Sequence, residues 1–321
     1  MTQARTTTDG QGAGGTVFLC PGQGSQKPGM GADLLGDPTI ARTVDCASEV
    51  FARDMGALLA DADPHALDDP RAAQAAIVTL TVSIGRALME RGVEPCVIAG
   101  FSLGQMSALA LADMISDEDA FALVDVRARI ICDTAAENPG AMSALLKAGE
   151  DDARALCTRC ADGEVLVPAN FNCPGQIVIS GSLRAVERAE ETWRASGGRF
   201  ARLATAGGFH SPLMEPARAP FSAYLETVRF SEPRVPVICN TDATPLDASS
   251  VRARLVDHLT GPVLFDRSIE RILEAHPGCR FIEAGFGGVL TGLVKRIAKN
   301  APRLCVQDEK SLRECLENRN G

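Results

Sequence analysis

Short apolar runs that alternate with longer helical patterns constrain the fold of this chain most. TVFLC (residues 16–20) and PCVIAG (residues 95–100) are each too short for a helix and are bounded by glycine or proline. Stretches with helical spacing of apolar residues follow them, including residues 117–136. Strands that alternate with helices in this way predict an α/β fold with a mostly parallel sheet.

The middle of the chain follows a different order. Across residues 140–206 the patterns are strand, helix, strand, strand, helix, strand, which is the split β-α-β order of a ferredoxin-like α+β subdomain. We therefore predict a large α/β domain, made of residues 16–139 and 207–321, into which this subdomain is inserted. Residues 1–15 are predicted to form a flexible tail. A cleft between two such lobes is a common place for a ligand.

Charge and hydropathy argue against several partners. The net charge of −9 repels the phosphates of nucleic acids and of anionic lipids. The longest apolar stretch, residues 75–89, is interrupted by threonine, serine and arginine, and residues 1–15 lack the apolar core of a signal peptide. We therefore expect a cytoplasmic protein that binds neither nucleic acid nor membrane.

Cysteines and glycine-rich turns indicate no cofactor. The eleven cysteines are an odd number, scattered along the chain, which does not suggest a disulfide framework. Cys157 and Cys160 form one CxxC within a predicted helix, without the second pair that a zinc site needs. The turns at residues 21–26 and 285–296 lack the Walker and dinucleotide spacings. We expect reduced thiols, no metal and no nucleotide cofactor.

The pentapeptide Gly-Phe-Ser-Leu-Gly, residues 100–104, follows a predicted strand and opens a predicted helix. A nucleophile on so tight a turn needs small neighbours two residues away on each side, and G-x-S-x-G provides them. The Ser102 hydroxyl would lie at a helix N-terminus, with the Leu103 amide facing a developing oxyanion. A serine N-cap on a glycine-flanked helix is the alternative. The strand before and the helix after favour the nucleophile.

A nucleophilic serine needs a base, and His210 is the best candidate among the four histidines. It stands in GGFHSP, where the predicted subdomain rejoins the large domain. A loop histidine alone is more often solvated than catalytic. We expect His65, His258 and His276 to be surface residues, because they lie in acidic, polar or Pro-Gly surroundings.

Arg127 falls in the apolar arc of the helix predicted over residues 117–136, between Leu123 and Ile131. An inward guanidinium is costly unless an anion pairs with it. Three arrangements meet this requirement: the side chain reaches the surface, pairs with an internal carboxylate, or binds a ligand. The sequence pattern does not choose among the three. A planar two-pronged donor suits a substrate carboxylate.

Eight blocks of the sequence occur together in the order typical of one family. The chain resembles malonyl-CoA:acyl carrier protein transacylases and the related acyltransferase domains of fatty acid and polyketide synthases, over nearly everything after the tail. The blocks are FLCPGQGSQKPGMG, GFSLGQMSALA, VRARI, GAMSALL, VPANFNCPGQIVISG, GFHSPLM, VICNTDATP and EAGFGGVLTGLVKRI. The resemblance implies a hydrolase-like α/β core with a mostly parallel sheet plus an inserted ferredoxin-like α+β subdomain.

The resemblance also implies roles for single residues. Ser102 resembles the acylated nucleophile, His210 its base, and Arg127 the partner of the malonyl carboxylate. The backbone amides of Gln23 and Leu103 are implied to form the oxyanion hole.

Three further positions carry implied roles around these residues. The family orients its histidine with a main-chain carbonyl in place of an aspartate, and Leu264 is the matching position. Gln74 and Asn172 match polar residues that line the family's cleft.

Three positions depart from the family pattern, and none removes an implied catalytic group. Phe101, Gln105 and Phe286 stand where a histidine, a glutamate and a proline are usual. Phe101 makes the pocket more apolar, which bears on acyl selectivity. Phe209, just before the histidine, resembles the malonyl-selective pattern, in which bulk disfavours a branched acyl chain.

The implied reaction moves a malonyl group from malonyl-CoA to the phosphopantetheine thiol of acyl carrier protein, through a malonyl-serine, and supplies fatty acid synthesis. No cofactor is expected beyond the coenzyme A thioester substrate, and the protein is expected to be a monomer. Arg129, Lys147 and Lys295 are candidates for contact with the acidic carrier. The alternatives are a serine hydrolase for acyl thioesters, an acyltransferase of a polyketide pathway, and a non-catalytic docking scaffold.

Overall fold

A computed structural model of the protein describes residues 14–205 and 207–318. The predicted tail therefore lies outside the described residues, apart from its last two positions. Two sheets organise the described chain. The first holds β1 (Thr16–Cys20), β2 (Pro95–Gly100), β7 (Val237–Ile238), β9 (Arg280–Ala284) and β10 (Arg303–Val306). The second holds β3 (Gly140–Ala148), β4 (Leu166–Cys173), β5 (Gly175–Ser182), β6 (Arg199–Arg202) and β8 (Val263–Leu264).

Helices connect and cover the strands. In the described chain they are α1 (Pro38–Phe51), α2 (Met55–Ala60), α3 (Pro70–Glu90), α4 (Gly104–Leu111), α5 (Asp117–Glu137), α6 (Glu150–Ala161), α7 (Leu183–Ala195), α8 (Glu215–Leu225), α9 (Val251–Thr260), α10 (Phe265–Ala275), α11 (Val289–Ile297) and α12 (Glu309–Glu317).

The first sheet is parallel throughout and has the strand order β10-β9-β1-β2-β7. The first strand of the chain, β1, is therefore the middle strand of the sheet. It pairs with β2 along one of its own edges and with β9 along the other. Its residues after Thr16 are fully buried, as expected for a parallel strand covered on both faces. The predicted α/β fold with a mostly parallel sheet is confirmed.

The long helix α3 forms much of the core beside this sheet. Asp69 caps its N-terminus by accepting from the Arg71 amide, and Pro70 occupies the first turn, where a missing N–H costs nothing. Its length and apolar composition alone would suffice to cross a membrane. However, 89% of its most apolar window is buried inside the protein, which is the burial of a core helix.

The second sheet has the order β6-β3-β5-β4-β8. The six elements predicted between residues 140 and 206 occur in the predicted sequence, from β3 to β6. The two-residue strand β8 comes from outside that range and pairs in parallel with β4. The division of the chain at 140 and 206 stays a prediction, since β8 belongs to the same sheet as the inserted strands.

Candidate active site

The serine turn is as tight as the pentapeptide predicts. β2 ends at Gly100, α4 begins at Gly104, and Ser102 between them has φ +51°, a strained value for a residue with a side chain. A Cβ on Gly100 would lie 2.2 Å from the Gln105 amide nitrogen, and one on Gly104 would lie 1.9 Å from the Cys20 carbonyl oxygen. Both flanking positions therefore require glycine.

The Ser102 side chain does not cap the helix that follows it. Leu103 is the N-cap of α4, and no side chain caps that helix. The Ser102 Oγ instead lies 2.7 Å from the His210 Nε2. The alternative of an ordinary helix cap is therefore wrong, and the hydroxyl is available for proton transfer to the imidazole.

His210 is buried and also has a positive φ, +57°. Its Nδ1 lies 3.0 Å from the His258 carbonyl oxygen and 3.2 Å from the Gly261 carbonyl oxygen. Two acceptors at Nδ1 place the ring proton there and leave the Nε2 lone pair for Ser102. Burial, and then the charge of Arg127, lower the pKa of His210 to about 4, so that the imidazole is neutral at physiological pH.

The carbonyl implied to orient the histidine is not the one that does so. The Leu264 carbonyl oxygen accepts a hydrogen bond from the Ser268 hydroxyl, one turn into α10, and within the described residues it makes none with the His210 ring. The chain reaches Nδ1 three and six residues earlier, at Gly261 and His258. A backbone carbonyl still replaces the aspartate, but its position is corrected.

His258 is not the surface residue that its polar surroundings predict. It is 1% exposed, and its ring centroid lies 5.0 Å from that of His210. Burial, and then the neighbouring histidine and Arg127, hold its pKa well below the usual range. The missed signal is helical spacing, because Val251, Leu255 and His258 share the buried face of α9.

Arg127 lies in the same cleft without a carboxylate partner. Its side chain is buried, and its Nη1 donates to the Gln74 Oε1 at 3.3 Å. Within residues 14–205 and 207–318 it makes no ion pair, so that neither the surface nor an internal carboxylate accounts for it. Burial lowers its pKa to about 10, which keeps the guanidinium charged at neutral pH.

The cleft that joins these groups has a volume of about 290 Å³. Its walls come from the turn after β1, the serine turn, α5, the second sheet and the start of α11. Gln23, Leu103 and Asn172 line it as predicted. Gln74 is not among the lining residues and is linked to the cleft through its hydrogen bond with Arg127. Asn170 also lines it, and the buried Oδ1 atoms of Asn170 and Asn172 have no partner among the described residues.

The amides implied to form the oxyanion hole are free to donate. Neither the Gln23 nor the Leu103 backbone N–H makes a hydrogen bond within the described chain, and both residues line the cleft beside Ser102. Unbonded amides beside a nucleophile are suited to a negatively charged oxygen.

Metal ligands are not gathered at this site. Among the residues that the structure describes, no group of three or more histidine, cysteine, aspartate or glutamate side chains is placed to hold a metal ion. Cys157 and Cys160 are free thiols on the buried face of α6.

Asn240 is a residue of the site that the sequence reasoning missed. It lies just beyond the end of β7, and its Oδ1 accepts from the Ser102 amide at 2.7 Å. The available signal was an asparagine that directly follows the apolar run VPVIC. The pairing of that strand with β2, which leads to the serine, is seen only in the structure.

A strained serine between a strand and a helix, hydrogen-bonded to a neutral histidine inside a cleft, is typical of enzymes that transfer acyl groups through a serine ester. The comparison with known families agrees with this class. The chain belongs to the acyl transferase domain family, whose profile matches residues 17–313.

Relatives and solved structures match nearly the whole chain. The malonyl CoA-acyl carrier protein transacylase of Salmonella typhimurium is 36% identical over 305 residues, which are 94% of this chain and 98% of that protein. The transacylase of the same name from Bacillus subtilis is 34% identical, over 94% of this chain and 96% of that protein.

Two solved structures of malonyl transacylases show the same fold. The Streptococcus pneumoniae MCAT structure has a TM-score of 0.89 at 37% identity and covers 94% of this chain and 99% of its own. A malonyl-transacylase in complex with a type II PKS acyl-carrier protein has a TM-score of 0.90 at 36% identity, with coverages of 95% and 99%.

Proposed function

We propose that this chain transfers a malonyl group from malonyl-CoA to the phosphopantetheine thiol of an acyl carrier protein, through a malonyl ester on Ser102. The observation that carries the proposal is Arg127, a buried and charged guanidinium without a carboxylate partner, in the cleft of the Ser102–His210 pair. Malonyl differs from acetyl by one carboxylate, and a carboxylate is the ion-pair partner that the Arg127 guanidinium does not have within the described residues.

In the first half-reaction, His210 acts as a general base. Its Nε2 takes the Ser102 proton while Oγ attacks the thioester carbonyl, and the carbonyl oxygen becomes an oxyanion that accepts from the Gln23 and Leu103 amides. As the tetrahedral intermediate collapses, the carbon–sulfur bond breaks and the imidazolium protonates the leaving thiolate of coenzyme A. The product is malonyl-Ser102.

The second half-reaction runs the same steps with a different thiol. The carrier's phosphopantetheine thiol gives its proton to the His210 Nε2, and its sulfur attacks the malonyl ester. The Ser102 oxygen leaves and takes that proton back. The carbonyl oxygens of His258 and Gly261 hold the ring in the tautomer that both halves need.

Arg127 serves selectivity in this scheme. A carboxylate bound to the guanidinium replaces an unpaired buried charge with an ion pair, which a neutral acyl chain cannot do. Phe209 also lines the cleft, where its bulk would disfavour a branched acyl group.

The proposal extends to partners and location. The carrier protein would meet exposed basic residues near the cleft, for which Arg129, Lys147 and Lys295 are candidates. The protein would act in the cytoplasm as a monomer, without a resident cofactor, and would supply fatty acid synthesis. The pathway is decided by the carrier, because the chemistry at Ser102 is the same for fatty acid and polyketide carriers.

Intact-protein mass spectrometry after addition of malonyl-CoA tests the proposal. The native protein should gain one malonyl group, and Ser102→Ala should gain none. Ser107→Ala is the matched control, because its buried hydroxyl on α4 has no partner in the described chain and its loss should leave the adduct intact.

Addition of a carrier protein then separates the alternatives. Malonyl-carrier should appear as the adduct disappears. Free malonate without malonyl-carrier would make the protein a hydrolase, and the absence of any adduct would make it a docking scaffold.

A further inference from the structure

Asn240 bridges the two sides of the serine turn with its side chain. Its Oδ1 accepts from the Ser102 amide at 2.7 Å, and its Nδ2 donates to the Gly100 carbonyl oxygen at 2.7 Å. The side chain is almost fully buried, so water does not compete for these bonds. Because Ser102 has an unfavourable positive φ, the turn needs such external contacts to keep its shape.

The backbone of Asn240 meets the segment that orients the histidine. Its carbonyl oxygen accepts from the Leu264 amide at 2.7 Å. Three residues earlier in the same segment, the Gly261 carbonyl oxygen lies 3.2 Å from the His210 Nδ1. One residue therefore touches both the turn that carries the nucleophile and the segment that holds the base.

Gln105 fixes Asn240 from behind. The Gln105 Oε1 accepts from the Asn240 backbone amide at 2.8 Å, and the Gln105 side chain is fully buried. The Gln105 Nε2 has no partner within the described residues, so this side chain contacts Asn240 through its oxygen. The chain of contacts runs from Gln105 through Asn240 to Ser102.

We propose that Asn240 is a positioning residue that sets the distance between the Ser102 Oγ and the His210 Nε2, and that Gln105 holds it in place. Asn240 does not line the cleft, so it acts on the reacting groups and not on the substrate. The proposal rests on the proposed function for the identity of the acyl group, but not for the serine–histidine pair on which it acts.

Asn240→Leu tests the proposal, because leucine has a similar size and forms neither side-chain hydrogen bond. Misplacement of a reacting group by about 1 Å costs on the order of 100-fold, so we expect malonyl-Ser102 to form about 100-fold more slowly. The KM for malonyl-CoA should change by less than about threefold, because the cleft wall is intact. Ile238→Val, at the buried end of β7 two residues before Asn240, is the control for a general loss of packing and should keep the native rate.

A second pair of variants does not depend on how well Asn240→Leu folds. Gln105→Met removes the acceptor for the Asn240 amide and should slow acylation about tenfold. Gln105→Glu keeps an oxygen at that position and should restore most of the rate. Equal rates for the two variants, or a folded Asn240→Leu that acylates within about threefold of the native rate, would overturn the proposal.

A substrate-independent readout separates this proposal from the proposed function. A fluorophosphonate probe labels an activated serine whatever acyl group the enzyme prefers. In Asn240→Leu and Gln105→Met, the rate of Ser102 labelling by the probe should fall in parallel with the rate of malonyl transfer. Native protein that reacts with the probe but not with malonyl-CoA would refute the malonyl assignment alone. Probe labelling that is equally fast in native protein and Asn240→Leu would refute the role of Asn240.

Discussion

Replacement of Arg127 by methionine should separate malonyl transfer from acetyl transfer. The side chain lies buried on α5, donates to Gln74, and has no carboxylate partner in the described chain. Methionine fills similar volume without a charge or a donor. The substitution therefore removes the proposed carboxylate contact and leaves the Ser102–His210 hydrogen bond in place.

The size of the effect follows from the bonds that are lost. A guanidinium that binds a carboxylate with two charge-assisted hydrogen bonds loses about 1.5 to 3 kcal/mol for each, so that the loss is about 3 kcal/mol or more. At about 1.4 kcal/mol for each factor of ten, kcat/KM for malonyl-CoA should fall at least about 100-fold. The folded protein should gain roughly 1 kcal/mol or more, because a buried unpaired charge is removed.

The assay compares single-turnover acylation by malonyl-CoA and by acetyl-CoA, together with the thermal unfolding midpoint. Acetyl transfer should change by less than about threefold, since no carboxylate is involved. Arg129→Met, exposed on the same helix, is the matched control for loss of a positive charge. Equal losses for malonyl and acetyl would refute the carboxylate role, and a lower unfolding midpoint would refute the account of Arg127 as an unpaired buried charge.

Two further outcomes follow from the site's geometry. His210 must be neutral to act as a base, and its pKa is lowered to about 4. In quench-flow measurements the rate of Ser102 acylation should therefore stay level from neutral pH down to about pH 5 and fall below that, with a midpoint near 4. A midpoint near the ordinary histidine pKa of about 6.5 would contradict the buried, carboxylate-free setting. Gly104→Ala should lower the free energy of unfolding by more than about 2 kcal/mol in urea titrations, because its Cβ would lie 1.9 Å from the Cys20 carbonyl oxygen. A Cβ at Gly36 meets nothing within 4 Å, so the control Gly36→Ala should leave stability nearly unchanged. Equal urea midpoints for the two variants would count against the steric account.

Local patterns were enough to predict most of the fold. The runs at 16–20 and 95–100 are short, apolar and bounded by turn residues, and such segments have few alternatives to buried strands. Arg127 stood out for a similar reason, because a charge in an apolar helical arc is visible from spacing alone. Ser102 and His210 needed a motif and an elimination among four histidines.

Three of the misses share one physical cause, which is contact between segments far apart in the chain, whereas the burial of His258 was visible from helical spacing. β8 is two residues long, and only its partner β4 makes it a strand. The carbonyl that reaches the His210 Nδ1 depends on how the segment after α9 bends, which no periodicity encodes. Asn240 likewise forms hydrogen bonds with residues more than 130 positions earlier.

The central place of β1 in the first sheet has a consequence for how the protein is made. One edge of β1 pairs with β2, but its other edge waits for β9, where Thr16 pairs with Arg280. At about 5 to 20 residues per second, the ribosome needs tens of seconds to add that partner. Until then the nascent chain carries an open, apolar strand edge, the kind of surface that pairs with other chains. Shielding of that edge during translation therefore bears on how much of the chain reaches the finished fold, separately from the stability of that fold.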